Sequence, residues 1–318
     1  MRYRLRAATP LGWLIEFAMD RLTLFLKAPA MNLDDSANPD EEKRLNGADA
    51  LPSLPIYNPE EALDEFDDED MEEGPRTVLI TGASGNIGRK LRAAWHEHYD
   101  LVLIDNAADP DDPDVIVADL SELDEDWITH FHGVDTVIHL AANPNDSASW
   151  EDLVGPNLDA LANVLHASAL AGVDRVIFAS SNHVMGGYRD LDDKPIDVAL
   201  PPRPDGPYGA TKLMGERLGR SLASSFDMTF IALRLGWVQP GENRPESLPD
   251  DWSRGLWLSN GDLVRLFEGA VESDVEERDF LVANGMSKNR GMRWDLSEAI
   301  EWLEYHPEDD AYAGQPES

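Results

Sequence analysis

Residues 77–95 read TVLITGASGNIGRKLRAAW, and the order of residue types in this stretch decides the fold. Thr77–Thr81 is a short run of apolar and β-branched residues without polar alternation, which is the pattern of a strand buried on both faces. Gly82, Gly85 and Gly88 follow at once, and NIGRKLRAAWHEHY (86–99) continues as a helical stretch. Three glycines at a strand–helix junction meet three needs. They allow a tight turn, a close approach of backbone to a diphosphate, and close packing of helix on strand. The free N–H groups and dipole at the start of that helix then favour an anion.

The strand signal recurs at LVLID (101–105), VIVAD (115–119), DTVIHLA (135–141), DRVIFASS (174–181) and MTFIALRLG (228–236). Helical stretches lie between, notably NLDALANVLHASALAG (157–172) and YGATKLMGERLGRSLASSF (208–226). Strands alternating with helices predict an α/β protein with a Rossmann-type doubly wound parallel sheet, helices on both faces and ligands at the strand carboxyl ends. A small C-terminal substrate-binding part, mainly 237–318, completes it. No internal repeat is visible.

Composition sets outer limits. The chain has 318 residues, no cysteine, 62 acidic against 26 basic side chains and a net charge of −36. Without cysteine there is no disulfide scaffold, thiolate metal site or cysteine nucleophile. So negative a field repels phosphate backbones, and no compact basic patch offsets it, so nucleic acid is excluded as a partner. Residues 1–30 carry +3, residues 31–75 carry −14, and residues 76–318 carry −25.

The first 30 residues hold the apolar stretch LGWLIEFAMDRLTLFLK, interrupted by Glu16, Asp20 and Arg21. That is too broken for a spanning helix, which needs about 20 mainly apolar residues. It reads as a weakly amphipathic extension, dispensable or misassigned given Met31 and Met71, with contact at a membrane surface as the alternative. Residues 31–75, with DEFDDEDMEE at 64–73, repel themselves and read as an acidic disordered linker. Chemistry is therefore expected in 76–318, in the cytoplasm.

Gly82, Gly85, Asn86, Ile87 and Gly88 are the expected diphosphate cradle. Asp105 ends the second strand, where a carboxylate accepts from adenosine ribose hydroxyls and repels a 2′-phosphate. Arg89 could instead reach such a phosphate, but the balance favours NAD over NADP. Asp119 and Leu120 stand where the adenine would lie, and Leu140, Ala141 and Ala142 are small enough to let a cofactor cross the strand ends. Tyr208 and Lys212, four residues apart, share one helix face. A phenol titrating near 10 needs help to act as a base, and a neighbouring ammonium and a positive nicotinamide ring lower its pKa. Lys212 can also hold the nicotinamide ribose. Ser181 ends a strand, in the ligand crevice, where its hydroxyl can hold the reacting oxygen.

Taken together, T-G-x-x-G-x-x-G, the strand-end aspartates, Ser181 and Y-x-x-x-K resemble the extended short-chain dehydrogenase/reductase family, also called the NAD-dependent epimerase/dehydratase family. Within it, Ser180-Ser181-Asn182-His183, Gly186, Pro204–Gly209 and WLSNGDLVRL (257–266) are similar to the uronate (hexuronate) dehydrogenase group, and a like pattern occurs in archaeal NAD-dependent glucose-6-phosphate dehydrogenases. The resemblance implies that Ser181, Asn182 and His183 contact a sugar, that Tyr208 is the base, and that Arg254 or Arg244 pairs with an acidic group. It also implies a homodimer or higher homo-oligomer, with the helices at 157–172 and 208–226 at the contact. Trp237 and Pro144 replace serines expected of that group.

The function so implied is oxidation of a sugar or sugar acid at C1 to a lactone, without a metal. The alternatives are a nucleotide-sugar epimerase or dehydratase, a glucose-6-phosphate dehydrogenase, and an NAD-binding redox sensor. Asn182-His183 in place of acids disfavours dehydration, and the intact serine, tyrosine and lysine disfavour a sensor. Six lysines against twenty arginines on so acidic a chain suit a saline cytoplasm. The melting temperature is accordingly expected to rise with KCl concentration, and a flat dependence would remove that reading.

Overall fold

The computed structural model describes residues 74–191, 194–275 and 278–315. The readings for residues 1–30 and for the acidic stretch to residue 73 lie outside the described residues. Strand β1 (Thr77–Thr81) is followed by α1 (Asn86–Trp95), β2 (Asp100–Asp105), β3 (Ile116–Val117), the short α2 (Glu125–Ile128) and β4 (Thr136–His139). Next come α3 (Trp150–Val154), a π-helical turn at Gly155–Asp159, α4 (Ala160–Ala171), β5 (Arg175–Ser181), α5 (Pro207–Phe226) and β6 (Thr229–Leu235). Helices α6 (Asp251–Gly255) and α7 (Asn260–Glu272), strand β7 (Phe280–Gly285) and helix α8 (Ser297–Leu303) end the described fold.

The seven strands are all parallel, in the order β3-β2-β1-β4-β5-β6-β7. The order reverses between β1 and β4, and the carboxyl ends on either side of that point form the crevice of a doubly wound sheet. The sheet is the expected one. Several boundaries differ from the sequence reading: VIVAD pairs over two residues, α1 stops at Trp95, and the stretch from 157 enters helix through a π turn. β7, with the mixed sequence FLVANG, was covered only by the expectation that the C-terminal residues complete the sheet.

Pleating explains why the strands lack alternation. Val78 and Ile80 face one core with Ile138, Ile177 and Ile231, beneath α1, α7 and α8. Leu79 faces the other core with Val137, Val176, Phe178 and Phe230, beneath α4 and α5. The central strand positions thus lie under helices on both faces, and apolar residues fill most of them. Helix α5 packs close because it presents glycine to the sheet. A Cβ at Gly215 would stand 2.7 Å from the Phe178 ring, and one at Gly219 would overlap the Phe230 ring. Overpacking of this kind costs about 1–3 kcal/mol. Gly219→Ala should therefore lower stability by that order in a denaturant titration, while an exposed Gly133→Ala control tests only the left-handed backbone at that turn.

Candidate active site

One cleft of about 1060 Å³ opens along the strand carboxyl ends. Gly82, Gly85, Asn86, Ile87, Gly88, Asp105, Asp119, Leu120, Leu140, Ala141 and Ala142 all line it, as do Ser181, Asn182, His183, Tyr208 and Lys212. The structure thus brings the expected cofactor and catalytic residues to one place.

At the cofactor end, Gly82 has φ +69°, and a Cβ there would stand 2.8 Å from the Ala141 nitrogen. A Cβ at Gly88 would strike the Gly82 carbonyl, so helix α1 can start this close to β1 only with glycine. The Ser84 hydroxyl is buried without a hydrogen-bond partner in the wall of this cradle. Space reserved by missing Cβ atoms and an unpaired hydroxyl fit a diphosphate-bearing cofactor. Asp105 is held in place by the N–H groups of Ser84 (2.9 Å) and Asn106 (2.8 Å). Arg89 donates to Asp109 at 2.7 Å and to the Ser84 carbonyl at 2.8 Å, and also pairs with Asp111. Burial works to raise the Asp109 carboxyl, but the Asp111 N–H and the Arg92 and Arg89 guanidiniums outweigh it and hold the group down at about 2. Arg89 is thereby committed to carboxylates, which removes it as a ready partner for a 2′-phosphate. Asp119 accepts from the Ser121 hydroxyl and N–H, and these bonds lower its pKa. The Asn86 side chain, expected at the diphosphate, donates to the Val238 carbonyl at 2.9 Å and accepts from Lys90 at 2.8 Å.

At the catalytic end, Pro207 starts α5 and places Tyr208 in its first turn, with Lys212 one turn further on. The buried Lys212 ammonium donates to the Ala179 carbonyl at 2.8 Å and lies 4.9 Å from the Phe178 ring centroid. Burial pushes Lys212 down to about 7 and Tyr208 up to about 12, where a Ser181 hydrogen bond opposes the rise and Asp146 adds to it. In the protein alone, desolvation therefore outweighs the activation that the sequence led us to expect from Lys212. Ser181 accepts from the His183 N–H at 3.2 Å. His183 Nδ1 lies 3.0 Å from both Asp205 carboxylate oxygens, its Nε2 lies 3.9 Å from Asp146, and its ring meets Tyr208 edge-on. Asn182, expected at the sugar, commits its amide to the Leu235 carbonyl at 3.0 Å.

Two expectations need correction. Neither Arg244 nor Arg254 lines the cleft. Arg244 is exposed and paired with Glu242. Arg254 turns toward the C-terminal segment, bonding Asp251 at 3.2 Å, with its guanidinium 5.8 Å from the Tyr312 ring. The arginine on the substrate side is Arg189, paired with Asp250 at 2.5 Å. Nor is the substrate side mainly C-terminal: Pro144, Asn145, Asp146, Arg189 and Asp205 share it with Trp237, Val238, Trp252, Ser253 and Leu256.

Sequence reasoning also missed a buried network behind the site. Glu216 accepts from Arg234 through both oxygens at 2.8 Å and from the Ser180 hydroxyl at 2.7 Å. The signal was present, since Glu216 continues the Tyr208–Lys212 face by one more turn and Arg234 is a charge inside an apolar strand. His139, fully buried with Nδ1 2.9 Å from the Thr81 hydroxyl, is lowered to about 3, first by desolvation and then by the Lys212 charge. It is therefore neutral.

A parallel sheet with a glycine cradle, a strand-end acid, and a serine, tyrosine and lysine converging on one cleft defines the class of dinucleotide-dependent α/β enzymes. Residues 78–250 match the NAD dependent epimerase/dehydratase family, and the chain belongs to it. It is 33% identical to L-arabinose 1-dehydrogenase (NAD(P)(+)) of Haloferax volcanii, over 74% of this chain and 97% of that one. It is 32% identical to the NAD-dependent glucose-6-phosphate dehydrogenase of the same organism, over 75% and 97%. The structure of a uronate dehydrogenase from Agrobacterium tumefaciens, a tyrosine-to-alanine variant complexed with NAD, is similar with a TM-score of 0.64 at 29% identity, covering 76% of this chain and 87% of that one. Among the described residues no helix is long and apolar enough to cross a membrane.

The role given to Asp105 has a direct test. Asp105→Ala should lower the ratio of NAD to NADP affinity, measured by titration of each cofactor, by about tenfold, the size of one lost charge-assisted contact. An unchanged ratio would reject the role.

Proposed function

We propose that this chain is an NAD-dependent dehydrogenase that oxidises a sugar at its anomeric C1 hydroxyl, giving a lactone. The observation that carries the reading is the convergence of Ser181, Tyr208 and Lys212 on one cleft with the glycine cradle. Bound NAD supplies the hydride acceptor, and its positive ring favours the phenolate. The Ser181 hydroxyl holds the C1 oxygen. Tyr208 Oη then takes the hydroxyl proton, and burial sharpens every charge effect at that atom. Lys212 is held by the Ala179 carbonyl on the buried side of the tyrosine ring, where its charge favours the phenolate and its remaining N–H groups can meet the nicotinamide ribose. Leu235, Leu256 and Trp237 supply apolar wall that excludes water from the reacting carbon.

Dehydrogenation is favoured over dehydration by the residues after Ser181. His183 is tied to Asp205 and Asn182 to Leu235, so neither offers the free acid a dehydration needs. The catalytic unit is 76–318, working in the cytoplasm where a free pool of NAD exists. A homodimer or higher homo-oligomer through α4 and α5 is part of the reading, supported by Met214, a large apolar residue left 48% exposed on α5.

Incubation with NAD and a panel of aldoses, uronates, glucose 6-phosphate and UDP-glucose tests the reaction. NADH and a lactone should form from a free sugar, whereas UDP-galactose from UDP-glucose without net NADH would overturn the reading. Tyr208→Phe should lower kcat by about 10²–10⁴-fold, the usual worth of a positioned acid or base. Full activity in that variant would refute the assigned base.

A further inference from the structure

We propose that the sugar oxidised in this cleft is an uncharged aldose seated with its C–H face on Trp237, and not a uronate or a sugar phosphate. The inference rests on the C1 dehydrogenase reading above and concerns its substrate class.

Charge decides the first half. The cationic groups lining the cleft are Arg89, His183, Arg189 and Lys212. Arg89 lies at the adenosine end and is paired with Asp109 and Asp111. Lys212 is buried against the Ala179 carbonyl, beside the tyrosine. His183 stands between Asp205 and Asp146, and Arg189 is paired with Asp250. Asp250 is itself fixed by the Ser253 N–H (2.8 Å) and hydroxyl (2.6 Å), so it does not swing away freely.

The acidic groups lining the substrate side are Asp146 and Asp205, and Arg189, the arginine on that side, is already paired with Asp250 just outside the lining. Arg189 and His183 are thus each matched by a carboxylate. A carboxylate or phosphate entering here meets the like charges of Asp146 and Asp205 and must compete with Asp250 for Arg189. A hydroxyl meets acceptors instead, because an ionised carboxylate only accepts hydrogen bonds. Asp146, whose side chain is 58% exposed, is the most open of these acceptors.

Trp237 decides the second half. It lines the cleft with 43% of its surface exposed, whereas Trp95, Trp127, Trp257 and Trp294 are buried. Its N–H donates to the Leu256 carbonyl at 2.7 Å and its carbonyl accepts from the Leu258 N–H at 3.1 Å. The backbone is therefore pinned on both sides, and the half-exposed indole offers an apolar surface to a cleft otherwise rich in polar groups. The C–H face of a sugar ring covers such a surface, while its hydroxyls reach the carboxylates at the rim.

Matched pairs separate the possibilities. The full chain with saturating NAD, at fixed ionic strength, is assayed with galactose against galacturonate, and with glucose against glucuronate and glucose 6-phosphate. Each neutral sugar should exceed its anionic partner in kcat/KM by about tenfold or more. Trp237→Ala should raise KM for the neutral sugar by about tenfold while kcat falls far less. Asp146→Asn should narrow the neutral-to-anionic ratio by admitting the anion. Equal turnover within pairs, or preference for the anion, overturns the inference, and loss of that preference in Arg189→Gln would identify the anion receptor. NADH formed faster from an anionic sugar defeats this inference alone. No NADH from any sugar defeats the dehydrogenase reading beneath it.

Discussion

Glu216 and Arg234 form an ion pair with almost no contact with water, and the geometry of the whole catalytic end depends on it. Two charges in a dry interior are costly, so the pair survives only because its hydrogen bonds are nearly complete. Glu216 belongs to α5, Arg234 to β6, and the Ser180 hydroxyl that joins them to β5. One carboxylate therefore sets the height of the tyrosine-bearing helix over two neighbouring strands. The glycines that let α5 descend onto Phe178 and Phe230 fix the same helix by shape. Removing one member of such a pair costs about 3–5 kcal/mol, whereas replacing both with apolar residues costs far less. What the pair secures is thus placement more than stability: Ser181, next to Ser180, and Lys212, one turn from Glu216, inherit their separation from it.

The cofactor half of the molecule was legible in the sequence because its signals are local. A strand, three glycines and a helix start are contiguous, and their reading needs no knowledge of distant segments. Asp105 and Asp119 follow from the strand ends by the same logic. The substrate half was not legible, because Asp146, Arg189, Asp205 and Trp237 come from three separate connections that only the folded sheet brings together. Arg254 shows the difference. In the sequence it follows β6, yet its side chain bonds Asp251 one turn back on its own helix and lies by the Tyr312 ring, and that packing takes it out of the cleft. Strand β7 escaped direct reading for a related reason: its Asn284 is buried polar, its amide bonding the carbonyls of Ile196 and Asp295, and so it breaks the apolar run.

The acidity of the chain acquires structure at the cleft. Beside the glycine turn, Arg89 and Arg92 draw Asp109, Asp111 and Asp112 onto α1, so two cations offset part of the charge of three carboxylates there. The glycine turn itself adds backbone N–H groups and a helix start to that pairing, which is what an acidic chain needs at the one place where it is read as taking up an anion.

Asn86 carries a consequence of another kind. Its amide joins the cofactor turn to the Val238 carbonyl, and Lys90 repeats the link through the Gly241 carbonyl. The loop beside the sugar and the turn beneath the diphosphate are one mechanical unit. Thermodynamic reciprocity then applies: whatever free energy one ligand spends in settling this unit, the other is spared, by the same amount in either order of arrival. A change in the loop meant to alter sugar choice will for that reason also be felt as a change in the hold on the cofactor.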